Sequence, residues 1–241
     1  MSGHSKWNNI KHKKEKADAA KAKIFTKIGK EMAVAIKAGG PDPNNNSKLR
    51  DLIAKAKANN VPNDNIQRTI KKFTDNGDIN FEEIVYEGYG PSGVAIIVET
   101  STDNRNRTAG NVRAAFSKYG GNLGQNGCVG YLFEEKGVIT IVDEDDELDE
   151  DKVMEDALEC GAEDIKCDEG EYTIYTSVDD FAEVREAVIA LGYTLATADL
   201  AKVPSTYVDL DNEDDIENME KMLDKFNEDD DVNAVYHNWN A

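Results

Sequence analysis

The helical spacing of apolar residues at the start of this chain gives way, near residue 77, to a mixture of strand and helix patterns. Before that point, apolar side chains recur at every third or fourth position, as Ile24, Ile28 and Met32 do, which gathers them on one face of a helix. Beyond it, apolar and polar residues alternate in short runs that further helical patterns separate, as expected for strands and helices in turn. The sequence therefore predicts a helical N-terminal region followed by mixed α/β structure.

Two interruptions divide the helical region into three predicted helices. The first begins near Ala17 and ends at the Gly39-Gly40-Pro41 sequence, because glycine and proline end helices. Ser47 is the predicted N-cap of the second helix, and the third begins at Asn63 or Asp64. We expect these helices to form a small bundle over residues 1–78.

The middle of the chain is predicted to begin with a β-hairpin. Its two strands, over 83–89 and 94–100, flank a Gly-Pro-Ser-Gly turn. A helix over 103–119 follows. After a glycine-rich stretch, a further strand is predicted over 129–133.

The C-terminal elements are predicted to return to this hairpin. They comprise a strand near Tyr207, a helix over 214–226 and a strand over 232–237, which are too few to enclose a core of their own. We therefore expect a discontinuous middle domain made of residues 79–134 and 204–241.

Residues 135–203 are predicted to form a separate domain. Their patterns give strand, helix, strand, strand, helix and strand, which is the order of ferredoxin-like domains. The predicted fold class is α+β and multidomain: an N-terminal helical bundle followed by two α/β domains, one of them ferredoxin-like.

The formal net charge of −20 hides an opposite charge in the helical region. Residues 1–72 contain 17 Lys and Arg against six Asp and Glu, a net charge of +11, so the remainder carries −31. A basic region joined to an acidic one indicates polyanion binding by the basic part. The alternative is a solubilising surface on which basic residues happen to cluster.

The first candidate nucleic-acid site is the segment 3–14, Gly-His-Ser-Lys-Trp-Asn-Asn-Ile-Lys-His-Lys-Lys. Its lysines can neutralise phosphates, and Trp7 can stack on an unpaired base. This combination is typical of sites for single-stranded or structured RNA. The alternative is a basic tail with Trp7 packed against the bundle.

The second candidate site is the segment 102–108, Thr-Asp-Asn-Arg-Asn-Arg-Thr, at a predicted strand-to-helix junction. Arg105 and Arg107 fall in or near the first helical turn, where a cation opposes the helix dipole unless an anion is bound there. The alternative is that both arginines pair with neighbouring acids. Over both sites, the predicted nucleic-acid-binding residues are Lys6, Trp7, Lys11, His12, Lys13, Lys14, Lys16, Lys23, Lys27, Arg105 and Arg107.

No pattern marks an enzyme or a cofactor site. The glycine-rich stretch 120–127 lacks the ending of a phosphate-binding P-loop and precedes a strand, which favours a shaped turn. The three histidines show no metal-ligand spacing with a cysteine. We predict no catalytic residue, no cofactor and no metal.

The sequence also predicts a cytoplasmic protein with no membrane partner. Its most apolar stretches are of strand length, far short of the roughly 20 residues of a membrane helix. No apolar run follows the basic N-terminus, so we expect no secretory signal. The three cysteines have unrelated spacings, as expected for reduced thiols.

Five segments together resemble the YebC family. They are the segments 3–14 and 102–108, Phe-Thr-Lys at 25–27, Tyr-Glu-Gly-Tyr-Gly-Pro at 86–91 and Gly-Gly-Asn-Leu-Gly at 120–124. The resemblance runs essentially end to end, in the same order and spacing. Ser92 and Cys128 depart from it, because they stand where the family pattern has Gly and Ser, but neither changes a charge.

This resemblance implies three domains, one helical and two α/β. Members of the family are described as probable transcriptional regulatory proteins that bind DNA. Mitochondrial and some bacterial relatives are described as translational activators, with a role in relieving ribosomes stalled on proline-rich sequence.

The residues and the resemblance together predict a non-enzymatic, nucleic-acid-binding regulator of gene expression. Structured RNA, above all the ribosome, is the favoured partner, and duplex DNA is the alternative. The basic residues from Lys6 to Lys30 are all Lys, which is poorly suited to bidentate contacts with base edges. The acidic domains are expected to position the protein or to meet protein partners. The alternatives are an enzyme acting on nucleic acid and an acidic protein-interaction module with a basic tail.

Overall fold

A computed structural model describes residues 17–75, 80–143, 148–168 and 170–240, with side chains from Lys23 onward. These residues form seven α-helices and eight β-strands. The helices are α1 (Ala17–Gly39), α2 (Ser47–Ala58), α3 (Asn63–Asp75), α4 (Arg105–Lys118), α5 (Glu150–Glu159), α6 (Phe181–Ala190) and α7 (Glu213–Glu228). The strands are β1 (Glu82–Tyr89), β2 (Ala95–Thr102), β3 (Asn122–Leu123), β4 (Phe133–Val142), β5 (Asp164–Asp168), β6 (Glu171–Thr176), β7 (Leu195–Pro204) and β8 (Val232–His237).

The chain divides into two compact units. The first unit combines Met1–Leu132 with Thr206–Ala241, and the second is Phe133–Ser205. The first unit therefore contains α1 to α3 as well as the first sheet.

The helices α1, α2 and α3 enclose a hydrophobic core of their own. Each helix turns one apolar face inward, because its apolar residues recur at helical spacing. The buried side chains are Ile28, Met32, Ala35, Ile36, Leu49, Leu52, Ala56, Ile66 and Ile70. As predicted, α1 ends at glycine: Gly40 has a φ of 83°, in the left-handed region that glycine adopts without strain.

Asn46, and not the predicted Ser47, is the N-cap of α2. Its side-chain oxygen accepts a hydrogen bond from the Leu49 N–H at 3.1 Å. Its amide nitrogen donates to the carbonyls of Ala35 and Gly40, both at 2.8 Å. The buried amide therefore begins α2 and satisfies carbonyls at the end of α1, which the hydroxyl of Ser47 could not do at once.

The first unit contains an antiparallel sheet with the strand order β3-β1-β2-β8. The predicted hairpin pairs Glu82 with Thr102 at one end and Tyr89 with Ala95 at the other. The helices α4 and α7 bury their apolar faces against this sheet, with the rings of Phe116 and Phe226 5.3 Å apart. The C-terminal α7 and β8 thus complete this core.

Two strand predictions in this unit are wrong. Residues 130–132 form a 3-10 turn, and a strand begins only at Phe133. The reason is the carboxylate of Glu87, which accepts hydrogen bonds from the N–H groups of Gly127, Val129 and Gly130 at 2.7–2.9 Å. Those donors are therefore not free to pair with a strand. Near Tyr207, the predicted strand is a single parallel bridge between Val208 and Trp239.

The second unit contains another antiparallel sheet, with the strand order β5-β6-β4-β7. Its elements follow each other as strand, helix, strand, strand, helix and strand. The helices α5 and α6 cover a core that includes Ile139, Ile174 and Val184. Gly137 is required in β4, because a Cβ there would lie 2.2 Å from the Thr176 hydroxyl and 2.5 Å from the Phe181 ring. The predicted mixture of helical and α/β structure is confirmed, with two antiparallel sheets.

None of the helices in the part of the chain that the structure describes is long and apolar enough to cross a membrane.

Candidate nucleic-acid interface

Seven of the eleven predicted binding residues lie outside the described residues. They are Lys6, Trp7, Lys11, His12, Lys13, Lys14 and Lys16. The structure places the other four, Lys23, Lys27, Arg105 and Arg107, in the first unit.

Lys23 and Lys27 share one face of α1 with Lys30, because the three are spaced four and three residues apart. We call these three residues the lysine face. The ammonium group of Lys23 donates to the Glu228 carbonyl and lies 3.8 Å from the Asp230 carboxylate. That of Lys27 donates to the Asn227 carbonyl at 3.2 Å.

The partners of the lysine face lie at the C-terminal end of α7. Carbonyls at a helix C-terminus lack partners within the helix and carry the negative end of its dipole. Four consecutive acids, residues 228–231, add formal charge at the same place. The predicted nucleic-acid contacts Lys23 and Lys27 therefore meet a negative partner within the chain.

Lys30 extends this contact to a buried carboxylate. Its ammonium group donates to the Asp230 carbonyl at 3.0 Å and to Asp231 Oδ1 at 2.7 Å. The Asp231 side chain is only 4% exposed, against 15% for that of Lys30. This ion pair is thus the most protected part of the contact.

The second oxygen of Asp231 lies at the N-terminal end of α4. It accepts hydrogen bonds from Arg107 Nη2 at 2.6 Å, from the Thr108 hydroxyl at 2.9 Å and from the Thr102 hydroxyl at 3.2 Å. Burial acts to raise the pKa of Asp231, but hydrogen bonds from Lys30, Arg107 and Thr108 outweigh it and lower the pKa to about 2. Asp231 is therefore a carboxylate anion at any ordinary pH.

The anion beside Arg107 at the start of α4 is the Asp231 carboxylate. Asn104 caps α4 by accepting the Arg107 N–H at 3.1 Å, and the Arg107 guanidinium also contacts Asp103 at 2.8 Å. Arg107 is therefore paired with acids of the chain, as in the alternative given for it above. Arg105 is exposed, and within the described residues it makes no ion pair.

A further cation of the bundle is paired with the first sheet. The Lys48 ammonium group lies 2.7 Å from both carboxylate oxygens of Glu83. Because both side chains are largely exposed, this pair contributes little stability. It nevertheless removes Lys48 from the cations that are free to meet a polyanion.

Four exposed cations of the bundle make neither an ion pair nor an aromatic-ring contact with any described residue. We call them the outer cationic set: Arg50 and Lys57 on α2, and Arg68 and Lys71 on α3. The two residues of each pair lie on the polar side of their helix, seven residues apart on α2 and three apart on α3. None of the four is among the nucleic-acid-binding residues predicted from the sequence. Their exposure could nevertheless be predicted from the sequence, because they lie between the buried positions of two amphipathic helices.

A cleft of about 550 Å³ opens in the first unit between α4 and the end of α7. Its lining includes four basic side chains beside four acidic ones. They are Lys30, Arg107, Lys118, Lys225, Glu228, Asp229, Asp230 and Asp231. This balance of charge does not favour a polyanion.

The described residues include no group of three or more His, Cys, Asp or Glu side chains that could hold a metal ion. The three cysteines are free thiols, and burial raises the pKa of each of them. A raised pKa keeps a thiol protonated and weakly nucleophilic.

The chain matches two models of one family. Residues 5–76 match the TACO1/YebC protein N-terminal domain, and residues 81–239 match the TACO1/YebC second and third domain.

Similar proteins support this assignment over the full length. A "Probable transcriptional regulatory protein" of Lachnoclostridium phytofermentans is 54% identical, and one of Agathobacter rectalis is 56% identical, with 99% of each chain covered. The crystal structure of a conserved hypothetical protein from Aquifex aeolicus is similar with a TM-score of 0.85 and 43% identity, over 98% of this chain and 96% of that one. The chain belongs to the TACO1/YebC family.

Proposed function

We propose that this protein is a non-enzymatic regulator of gene expression that binds nucleic acid through its N-terminal helical region. The observation that carries the proposal is the outer cationic set, four exposed basic side chains without ion-pair partners among the described residues. They belong to a region of net charge +11 in a chain of net charge −20. Relatives named probable transcriptional regulatory proteins support the regulatory role.

The outer cationic set acts as a phosphate-binding surface in this proposal. Two of its members are arginines, whose planar guanidinium groups hold phosphate oxygens in two parallel hydrogen bonds. The lysines between Lys6 and Lys16 add further phosphate contacts, and Trp7 supplies a stacking surface for an unpaired base.

Structured RNA, above all the ribosome, is the partner that we favour. Trp7 can stack on an unpaired base, which a closed duplex does not offer. A strongly acidic chain with a small basic surface would be repelled along a DNA duplex, whereas the basic surface alone can enter an RNA-lined cleft. The acidic remainder of the chain then meets protein partners.

Duplex DNA is a second candidate, because α2 and α3 are joined as in a helix-turn-helix. The connection is four residues long, 59–62, and Asn60 has a left-handed φ of 58°. In such motifs the second helix enters the major groove with its N-terminal residues on the base edges. Gln67 and Arg68, exposed in the first half of α3, have side chains that can make such contacts.

Two assays at physiological salt separate these partners. Co-sedimentation with ribosomes is set beside binding to duplex fragments from promoters. RNA recognition predicts ribosome association that Trp7→Ala weakens more than any single substitution of a nearby lysine. Sequence-specific duplex binding that Gln67→Ala abolishes, without ribosome association, would instead establish the second candidate.

The domain layout and the compartment belong to the same proposal. We assign residues 1–78 to the binding domain, 79–134 with 204–241 to the middle domain, and 135–203 to a ferredoxin-like domain. Three separate clusters of buried side chains support three domains. The free thiols of the cysteines support the cytoplasm.

A further inference from the structure

The lysine face of α1 is occupied within the chain by a surface that resembles a phosphate backbone. Its acceptors are carbonyl oxygens at the negative end of α7, followed by four consecutive acids. A run of closely spaced negative oxygens is also what a nucleic-acid strand presents to lysine. The C-terminal end of α7 thus occupies Lys23 and Lys27, two of the residues predicted to contact nucleic acid.

The two contacts are open to exchange with another anion. The hydrogen bonds of Lys23 and Lys27 are solvent-exposed, and the Asp230 side chain is 67% exposed. Exposed lysine contacts contribute little stability and are weakened by other ions. The carbonyls that they leave can turn to water, because they are at an exposed helix end.

The same geometry excludes simultaneous occupation by both anions. A phosphate strand on Lys23 would lie close to the Glu228 carbonyl and the Asp230 carboxylate, since Lys23 contacts both groups. Like charges at such distances repel each other, and each further phosphate adds to the repulsion. A strand that binds Lys23 and Lys27 must therefore displace the end of α7 from these two lysines.

We propose that docking of Lys23 and Lys27 on the C-terminal end of α7 is an autoinhibitory contact, which a nucleic-acid phosphate backbone displaces when the helical region binds it, while the buried pair of Lys30 with Asp231 stays in place. The inference rests on the proposed function, because it regulates that same binding surface. In the docked form, the outer cationic set is exposed and the lysine face is closed. Binding begins on the outer set and then frees Lys23 and Lys27.

The test measures the affinity of the full chain for a fluorescent single-stranded oligoribonucleotide at low salt. The double variant Glu228→Gln/Asp230→Asn removes two of the four negative charges at the end of α7, one of them the Asp230 carboxylate 3.8 Å from Lys23, and leaves the carbonyl contacts and the buried Asp231 in place. Glu220→Gln/Asp224→Asn is the matched control, since it removes two exposed acids of α7 that make no ion pair within the described residues. Both double variants therefore remove two negative charges from the chain.

We expect Glu228→Gln/Asp230→Asn to bind the probe roughly three- to tenfold more tightly than the control. The reason is that only the open form binds through Lys23 and Lys27, so the apparent affinity rises with the fraction of molecules in the open form. Equal affinities of the two variants would overturn the autoinhibitory contact and leave the proposed function standing. If the unaltered chain does not bind the probe at all, the autoinhibitory contact and the proposed function are both overturned.

Hydrogen exchange gives an independent measurement on the unaltered chain. The N–H groups of Asp229 and Val232 close the turn after α7 by bonding to the carbonyls of Phe226 and Asp229. We expect both amides to exchange faster when the oligoribonucleotide is bound. Exchange that is unchanged or slower, with the probe bound, would show that α7 stays docked and would overturn the proposal.

Discussion

Asp231 joins two helices of the first unit through one side chain, because its two oxygens accept hydrogen bonds from Lys30 on α1 and Arg107 on α4. The segment 102–108 predicts a phosphate site at Arg107 or, as the alternative, ion pairs with neighbouring acids, and the structure pairs Arg107 with Asp103 and with a second anion, Asp231. This second anion is a residue 124 positions further along the chain. No local pattern could identify it, because only the pairing of β2 with β8 brings the two segments together.

The first prediction concerns removal of the Asp231 charge. Asp231→Asn should lower the free energy of unfolding by about 2 kcal/mol at neutral pH, since it loses charge-assisted hydrogen bonds in a buried position. Urea denaturation measures the change. Asp230→Asn is the control, because its exposed carboxylate makes one long ion pair, and it should shift stability by less than about 0.5 kcal/mol. Equal effects of the two variants would contradict the role of Asp231.

The second prediction is the pH dependence of that contribution. The pKa of Asp231 is about 2 in the folded chain, below its ordinary value of 3.8. The unfolded chain therefore binds the proton more readily, and the contribution is complete above pH 3.8 and lost as the pH falls towards 2. The stability difference between the unaltered chain and Asp231→Asn should shrink over this range. A difference that grows on acidification would refute the assignment.

Ser92 gives a third prediction, since it departs from the glycine of the family pattern. Its φ of 51° lies in the left-handed region, and its hydroxyl donates to Asp215 Oδ2 at 2.6 Å. Both Ser92→Gly and Ser92→Ala lose this hydrogen bond, but only glycine also loses the backbone strain. Ser92→Gly should therefore be more stable than Ser92→Ala by about 1 kcal/mol in thermal denaturation. Equal stability would mean that the turn is unstrained.

At the scale of helices and strands, the accuracy of the prediction depends on how far apart in the sequence the interacting residues lie. The helices α1 to α3 are set by local spacing and breaks, so the sequence predicts them to within a few residues. The predicted strand over 129–133 is wrong because a carboxylate from β1 takes the N–H groups that a strand would use. The outer cationic set does not stand out in the sequence, because its members are single basic residues on regular helices and not part of a dense basic segment.

The fourth prediction tests the polar faces of α2 and α3. Changing the outer cationic set to glutamine should weaken binding of a single-stranded oligoribonucleotide. It should also lower the steepness of the log–log salt dependence by up to about 3, at roughly 0.7 per phosphate contact. Glutamine is a good helix former, so the bundle should stay folded.

The control for this variant removes the same charge from the sheet side of the first unit. Its four substitutions are Arg113→Gln, Lys118→Gln, Lys221→Gln and Lys225→Gln. A similar loss of affinity in both variants would mean that binding reports net charge and not the surface of the bundle.

At the scale of the whole molecule, charge is divided between the two units. The second unit, residues 133–205, contains 23 acidic and five basic residues, a net charge of −18. Nearly all of the net negative charge of the chain therefore lies in the unit that contains neither candidate nucleic-acid site. The charge asymmetry of the sequence thus indicates which unit can meet a polyanion, although it cannot indicate which side chains do so.

The last prediction follows from how this acidic unit is inserted. It enters at Phe133 and leaves after Pro204, and these two residues are paired across β4 and β7. Because the insertion points are adjacent, residues 133–205 can be replaced by a short glycine linker without stretching the first unit, which has its own cores. A cooperative thermal transition would confirm that the remaining unit is folded. Removal of the −18 charge should then tighten oligoribonucleotide binding at low salt, by an amount that disappears as salt screens long-range repulsion. Weaker binding at all salt concentrations would mean instead that the acidic unit itself contacts the nucleic acid.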